Sequence, residues 1–420
     1  MNFTPTELGA SIIFLIAVIH TFCTSYFERL ANQNPDHAGL WHLLGEVEIV
    51  FGFWASILII FMWLSNNLTT AKEYANSRNY TEALFVFAIM VVAGSKPILD
   101  FANQILNMLS KAIQAVFRIR QAPALYFLTL SITPLLGSLI TEPAAMTLSA
   151  FLLRDLVYRH KPSTLLMFGT LGVLFVNISI GGTLTNFAAP PVLMVASTWN
   201  WDSAFMFSHF GLKSCVAIFI NALTITLLFR NQLTEPQQMM LTKKTPLIVT
   251  LIHLLFLIGI VGVAHDPVIF IWLLLFFIGY AAAYPKYQNP LILREALLVG
   301  FFLAGLVVLG GLQSWWLQPI LEQMSPTAAF YGSLTLTAIT DNAALTYLGS
   351  LVNGTSLEFK LALVSGAVAG GGLTVIANAP NPAGIAILRS YFPNAAVSAS
   401  FLLLAAIPPT IITIFAYQLL

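Results

Sequence analysis

The sequence predicts an all-α polytopic membrane protein with two inverted repeats, each containing a re-entrant hairpin and a broken transmembrane helix. Of its 420 residues, 58% are hydrophobic and only 8% are charged, whereas a soluble domain carries roughly 25% charged residues. The chain contains repeated apolar runs that are long enough to cross a bilayer core, which takes about 20 helical residues. An acidic motif also appears twice, about half a chain apart.

Most of the apolar segments are interpreted as simple membrane spans. These are 8–27, 41–64, 80–95, 164–198, 203–230, 245–264, 267–284, 294–312, 357–390 and 395–418. Segments 122–158 and 313–353 differ, because each is too long for one crossing and has a polar tip in its middle. We interpret both as re-entrant hairpins, whose turns must be covered by protein or water since lipid cannot satisfy free backbone groups.

The tips of the two hairpins share a local sequence. Glu142 lies in Ile-Thr-Glu-Pro-Ala-Ala-Met-Thr, and Asp341 lies in Ile-Thr-Asp-Asn-Ala-Ala-Leu-Thr. An acid that occurs twice in the same frame, in a chain this apolar, indicates a function for both acids.

The segments that flank the hairpins repeat as well. Residues 81–90 (TEALFVFAIM) resemble 294–303 (REALLVGFFL), and residues 181–191 (GGTLTNFAAPP) resemble 371–381 (GGLTVIANAPN). Paired interruptions in two halves are typical of an inverted-repeat transporter whose site lies at the membrane midplane.

The placement of lysine and arginine predicts the orientation. Basic residues flank the first hairpin on both sides, so both of its ends are expected in the cytoplasm. Most of the 18 Lys and Arg residues then fall inside, among them Lys243 and Lys244 of the connector 231–245. The second hairpin opens from the outside, and we expect both termini outside a bacterial inner (plasma) membrane.

On these motifs the chain resembles the ion transporter superfamily, and within it the sodium/proton antiporters related to the NhaD-type, arsenite- and dicarboxylate-transporter families. The resemblance covers nearly the whole chain and is most specific at 138–147, 337–346, 181–191 and 371–381. It implies a scaffold part, a transport part that moves as an elevator, and a homodimer. Dicarboxylate members carry Ser-Asn-Thr at both tips, and the acidic tips here favour a cation instead.

The resemblance also implies a division of the chain into four segments. They are 1–121 (scaffold part of repeat 1), 122–235 (transport part of repeat 1), 236–312 (scaffold part of repeat 2) and 313–420 (transport part of repeat 2). The transport parts hold the hairpins 122–158 and 313–353 and the broken helices 164–198 and 357–390.

Glu142 and Asp341 are the main candidates for a shared Na⁺/H⁺ site. A carboxylate at mid-bilayer costs about 2.5 to 3.5 kcal/mol, so it normally faces a cavity and a partner. Two carboxylates suit a hard cation such as Na⁺, and they can bind protons instead. The alternative is a capping role for the half-helix that follows, because Asp341 is a good N-cap and Pro143 a favoured first-turn residue.

Further candidate ligands surround the two acids. Side chains that offer oxygen are Thr141, Thr340, Asn342, Asn186 and Asn378, and the candidates for unwound backbone are Gly181, Gly182, Gly371, Gly372, Pro190 and Pro380. Thr147 and Thr346, five residues after each acid, either reach the ion or bond a carbonyl of their own helix. Close packing of helices through small residues is the alternative role of the glycines.

Glu46 and Glu48 are secondary candidates in the predicted scaffold. Two acids two residues apart cannot share a helix face. One of them could pair with His20 or Lys96 or relay protons, and a structural role in the scaffold is the alternative.

The remaining features exclude several function classes. The net charge of +1 argues against nucleic-acid binding. The sequence has no Walker A loop for ATP-driven transport, no nucleophile–base set that would indicate an enzyme, and no cofactor motif. Na⁺/H⁺ antiport is therefore the predicted function, with Na⁺ as the transported ion. The alternative is Na⁺- or H⁺-coupled transport of an organic or inorganic anion, which would need a cationic or donor-rich pocket.

Overall fold

The computed structural model describes residues 3–235 and 245–420. Lys243 and Lys244 of the predicted connector therefore lie outside the described residues. The described part is helical and contains no strand, which confirms the predicted all-α class.

The described residues form 22 α-helices. In the first half they are α1 (Pro5–Thr21), α2 (Thr24–Gln33), α3 (Ala38–Leu44), α4 (Val47–Ser65), α5 (Leu68–Asn76), α6 (Thr81–Ala93), α7 (Lys96–Phe117), α8 (Gln121–Ile140), α9 (Glu142–Leu156), α10 (Thr164–Gly181), α11 (Pro190–Trp199), α12 (Ser203–Met206) and α13 (Leu212–Phe229). In the second half they are α14 (Leu247–Gly262), α15 (Pro267–Ala283), α16 (Leu293–Gly310), α17 (Ser314–Leu321), α18 (Pro326–Thr337), α19 (Asn342–Ser350), α20 (Leu357–Gly370), α21 (Asn381–Leu388) and α22 (Ala399–Leu419).

Fewer continuous helices than expected are long and apolar enough to cross a membrane. Six helices in the described ranges meet that test, or seven if α6 and α7, which meet at a 65° bend, form one span. The helices α1, α14 and α15 are apolar but shorter. The difference from the predicted ten arises partly because a broken span is two short helices: α20 and α21 have 14 and 8 residues.

Each predicted hairpin segment contains two helices that meet at its polar tip, and the second segment, 313–353, also contains α17. The first turns between α8 and α9 at Thr141, and the second turns between α18 and α19 at residues 338–341. The two predicted broken helices are interrupted between α10 and α11 and between α20 and α21, at the glycine-rich segments.

The helix α7 was not anticipated, because its sequence is too polar for a simple span. Its buried residues Ile98, Ala102, Leu106 and Ser110 recur every four positions, which places them on one helix face. That face packs mainly against α8. The helix α7 therefore lies against the first hairpin, although its residues belong to the predicted scaffold segment 1–121.

The described helices form two packing groups. In the first group, α16 packs against α4 and against α6, and α6 also packs against α15. The helix α1 packs on α4, and α14 packs on α15. In the second group, the hairpins and broken helices pack with α13 and α22. Within it the two halves of the chain interlock, because α9 packs against α21 and α19 packs against α11. This interlocking brings Glu142 beside both unwound segments and Asp341 beside the second one.

Candidate ion site

The tip of the first hairpin holds Glu142 in the protein interior. The break between α8 and α9 falls on Thr141, whose backbone has φ 74° and ψ 152°. A non-glycine residue rarely adopts that conformation, and such strain is typical of functional sites. Glu142 is the first residue of α9 and is 0% exposed. No side chain caps α9, since Thr141 accepts no hydrogen bond from the first turn.

Glu142 is bound by the unwound segment of the opposite half of the chain. Asn378 Nδ2, between α20 and α21, donates to Glu142 Oε2 over 2.9 Å. The other carboxylate oxygen, Oε1, is buried and has no hydrogen-bond partner within the described part of the chain. A buried carboxylate that is only half satisfied is costly.

The first unwound segment packs directly against the Glu142 carboxylate. A Cβ added to Gly182 would lie 2.5 Å from Glu142 Oε1 and 2.7 Å from its Cγ, so no larger residue fits without moving the acid. Ser138 clamps the hairpin to this segment, because its Oγ donates to Gly181 O (2.7 Å) and accepts from Leu184 N (3.0 Å).

The tip of the second hairpin uses its acid differently. Asp341 is the N-cap of α19, and its Oδ1 accepts from the backbone N–H groups of Ala343 (2.8 Å) and Ala344 (3.2 Å). The capping role weighed in the sequence is therefore present. It does not exclude ion binding, because the cap uses Oδ1 and leaves Oδ2 outside the cap.

Two asparagines complete the polar centre around the second tip. Asn342 is fully buried, and neither atom of its side-chain amide has a partner among residues 3–235 and 245–420. Asn381 Nδ2 donates to Gly371 O (2.8 Å) and Thr374 O (2.9 Å). A Cβ at Gly371 would collide with Ser179 and lie 2.8 Å from Asn342 Nδ2, so the second unwound segment also needs its glycine.

Several buried oxygen atoms at the tips and unwound segments lack a partner within the described residues. In the described ranges they include Thr141 Oγ1, Glu142 Oε1, Asn342 Oδ1, Asn378 Oδ1 and Asn381 Oδ1. Buried oxygens are normally hydrogen-bonded, so each exception needs an explanation. Carboxylate, hydroxyl and amide oxygens are the ligands that hard cations prefer.

Asp341 lines two cavities that extend toward the first packing group. The larger, of about 130 Å³, is enclosed mainly by apolar side chains such as Phe51 and Phe302. The smaller, of about 20 Å³, is lined by Asp341, by Asn378 and by Glu48 from the first turn of α4. Asn378 therefore connects Glu142 on one side with the Asp341 cavity on the other.

Asn186 and Thr340 have different surroundings from those expected, whereas Thr147 and Thr346 adopt one of the two roles considered for them. Asn186 lines a separate cavity of about 190 Å³, and its Oδ1 accepts from Ser203 Oγ over 2.8 Å. Thr147, Thr346 and Thr340 each donate to a backbone carbonyl three or four residues earlier. Pro190 opens α11, and Pro380 directly precedes α21.

The expected partners of the two glutamates in α4 are also different. His20 bonds Leu44 O and the Trp54 indole, and Lys96 pairs with Asp100. Glu46 forms an ion pair with Arg294 of α16 instead. Pairing with His20 or Lys96 was wrong because α16, which is distant in sequence, packs along α4.

Two residues of the site were missed in the sequence. Asn381 stands in Ala-Pro-Asn-Pro, and its place between two prolines in an unwound segment could have identified it. Ser138 gave no such signal, since it is an ordinary small residue of an apolar helix.

A family model described as "Putative Na+/H+ antiporter" matches residues 5–420. The chain belongs to this family. A search of curated proteins found no match.

Membership of this family confirms the predicted relationship to sodium/proton antiporters. The assignment to the ion transporter superfamily and the relationship to the NhaD-type antiporters remain predictions. The family is one of transporters. Together with the apolar helices, it identifies the chain as an integral membrane protein in the class of cation/proton exchangers.

Proposed function

We propose that this protein exchanges Na⁺ for H⁺ across the membrane, with Glu142 and Asp341 as the shared site. One observation carries the proposal: Glu142 is fully buried, and its Oε1 has no partner in the described part of the molecule. An isolated buried carboxylate is strongly disfavoured unless it meets a cation or takes up a proton. Thr141 and Asn378 supply neighbouring oxygens for the cation.

A site of this kind gives exchange in its simplest form. A carboxylate that holds a proton loses the charge that attracts Na⁺, and one that holds Na⁺ cannot be protonated at the same oxygen. Since the loaded forms exclude each other, each passage of Na⁺ in one direction is matched by protons in the other. The titration belongs to the two acids as a pair rather than to either alone.

We further propose that the chain consists of two inverted repeats and works by an elevator-like movement. The reciprocal packing of α9 with α21 and of α11 with α19 supports the repeat. The proposed moving surface is mainly apolar, with Ile140, Ala144, Leu193, Met194 and Ala343 in one core with the first packing group. A homodimer, external termini and the bacterial inner membrane belong to the same proposal.

The anion alternative receives less support. An anion site would need cationic or donor-rich walls, and neither cavity at Asp341 has a Lys or Arg in its described lining. Uptake of a labelled anion is still a useful control for the experiment that follows.

Proteoliposomes with an internal pH dye test the function. We expect an imposed Na⁺ gradient to drive proton movement, and choline in place of Na⁺ to drive none. Because protons compete with Na⁺, the apparent KM for Na⁺ should rise as the pH falls, by about tenfold per pH unit once protonation of one group dominates. Absence of Na⁺-dependent proton flux would refute antiport, and Na⁺-dependent anion uptake would favour the alternative.

A further inference from the structure

A groove on the exposed surface combines arginines with an apolar wall. It is lined by the last residues of α7 and α13 and by the first residues of α8, and its volume is about 550 Å³. Ligand pockets have volumes of about 300 to 1,000 Å³, so the groove is large enough for a ligand. It is separate from the candidate ion site, because no residue of that site belongs to its described lining.

The three arginines of the groove stand at helix ends. Arg118 directly follows α7, Arg120 directly precedes α8 and Arg230 directly follows α13. In a membrane protein, basic side chains at helix ends lie near the lipid headgroups. Phe127 and Leu223 line the groove about two turns further into α8 and α13, which is about 10 Å along each helix. The groove therefore extends from the headgroup level toward the hydrocarbon region.

Two of the three arginines carry a charge that no acid balances. Arg120 is paired with Glu235 over 3.0 Å. Arg118 and Arg230 are exposed, and in the described part of the chain neither forms an ion pair. The sequence between the described ranges, 236–244, adds no acid that could neutralise them. The groove therefore offers two positive charges beside an apolar surface.

We propose that this groove binds an anionic phospholipid, with the phosphate at Arg118 and Arg230 and the acyl chains along the apolar wall. Arginine binds phosphate through short, charge-assisted hydrogen bonds, and basic pockets between membrane helices bind anionic headgroups. Phe117 and Leu227 line the groove and are more than half exposed, so an acyl chain can lie against them without displacing another part of the protein. The inference goes beyond ion exchange and does not depend on it.

Charge and polarity together favour a lipid over other occupants of the groove. A free inorganic anion would use the arginines but would leave the apolar wall without a partner. A second copy of the chain, related by a twofold axis, would bring the same surface against itself and place arginines near arginines. A bound anionic lipid meets both the charge and the apolar wall, and it would join α7, α8 and α13 at one end of the first hairpin.

Lipid titration of the purified full chain in detergent tests the inference, with bound lipid counted by native mass spectrometry. We expect dioleoylphosphatidylglycerol to bind more tightly than zwitterionic dioleoylphosphatidylcholine. In Arg118→Gln/Arg230→Gln, the apparent affinity for phosphatidylglycerol should fall about 25-fold, since each basic residue near anionic lipid contributes about fivefold. Lys161→Gln/Arg389→Gln is the matched control, because both residues are basic, exposed and outside the groove. It should bind phosphatidylglycerol like the wild type.

Four other results would each overturn the inference. Equal affinity for the two lipids would show that the groove does not select negative charge. Equal losses in the two double variants would show a general effect of surface charge. Efficient displacement of phosphatidylglycerol by inorganic phosphate would identify a site for a free anion. A changed oligomeric state of Arg118→Gln/Arg230→Gln would identify a contact between copies. If that variant is not recovered, Arg118→Gln and Arg230→Gln alone should each lose about fivefold in affinity.

Discussion

The two hairpin tips have nearly the same sequence but use their acids in different ways. Asp341 turns one oxygen back onto its own helix and caps α19 through Ala343 and Ala344. Glu142 caps nothing and is held by Asn378 of the opposite half. One methylene accounts for part of the difference, because the shorter aspartate is the better N-cap. The backbone of the turns accounts for more, since Glu142 is already the first residue of α9, whereas Asp341 precedes α19 in extended backbone (φ −87°, ψ 141°).

This difference suggests that the two tips have different roles in ion binding. Capping fixes Asp341 and leaves it one oxygen for an ion, whereas Glu142 has an oxygen that is buried and unpaired in the described structure. Glu142 should therefore contribute most of the ion-binding energy, and Asp341 should couple the site to the helices it faces. The following substitutions separate these roles, beginning with the largest expected effect.

Glu142→Gln should nearly abolish exchange. The amide keeps the shape and can still bond Asn378, but it carries no charge for Na⁺ and binds no proton. Loss of a buried charged partner costs about 3 to 5 kcal/mol, or more than 100-fold in exchange rate at low Na⁺. The measurement is Na⁺-driven proton flux in proteoliposomes with equal amounts of inserted protein.

Glu358→Gln is the control for this substitution, since Glu358 lies in the first turn of α20 and is exposed. It should exchange like the wild type. Near-normal flux by Glu142→Gln would remove Glu142 from the site and leave Asp341 as the main acid.

Asp341→Asn should reduce exchange strongly but less than Glu142→Gln, by roughly ten- to 100-fold, because one charged contact to the ion is lost. Asparagine is as good an N-cap as aspartate, so thermal stability should hardly change. Asp341→Ala should lose the cap as well and cost about 1 kcal/mol of stability. Flux and melting temperature measured on both variants separate ion binding from capping. If Asp341→Asn exchanged normally, capping would be the only role of Asp341.

Gly182→Ala should weaken Na⁺ binding through Glu142 alone. The added Cβ would lie 2.5 Å from Glu142 Oε1, so the carboxylate must move. Overpacking typically costs about 1 to 3 kcal/mol, and we expect the apparent KM for Na⁺ to rise roughly tenfold. Gly279→Ala in α15 is the matched control, since nothing lies within 4 Å of its added Cβ. An unchanged KM in Gly182→Ala would show that the position of Oε1 is unimportant.

The sequence predicts the candidate site because burial of polar groups is costly in a membrane. Glu142 and Asp341 stand out as charged side chains that lipid disfavours, and the glycine-rich segments stand out as interrupted backbone that lipid cannot satisfy. The same logic located both hairpin tips within a few residues. Neither inference needed knowledge of which helices pack together.

Residues that depend on long-range packing could not be placed in this way. The sequence made Asn186 a candidate ligand and Glu48 only a secondary candidate, yet Glu48 lines a cavity with Asp341 and Asn186 bonds Ser203. The ion pair of Glu46 with Arg294 joins residues more than half the chain apart. The helix α7 was missed because its single apolar face is too narrow for a span.

The smallest effects should come from the threonines that follow each acid. Thr147 Oγ1 donates to Pro143 O (2.9 Å) and Thr346 Oγ1 donates to Ala343 O (3.2 Å), so both hydroxyls are occupied within their own helices. Thr147→Val and Thr346→Val should each change exchange by less than about twofold and stability by about 1 kcal/mol or less.

Thr141→Val provides the contrast for these two variants. Thr141 Oγ1 is buried at the strained turn, beside Glu142, and has no partner within the described ranges. Its removal should raise the apparent KM for Na⁺ several-fold, by about 1 kcal/mol of binding energy, with little change in maximal rate. If Thr147→Val weakened Na⁺ binding as much as Thr141→Val, the ion would lie further along α9 than the tip. The functional difference between the two hairpins would then arise from their helices rather than from their turns.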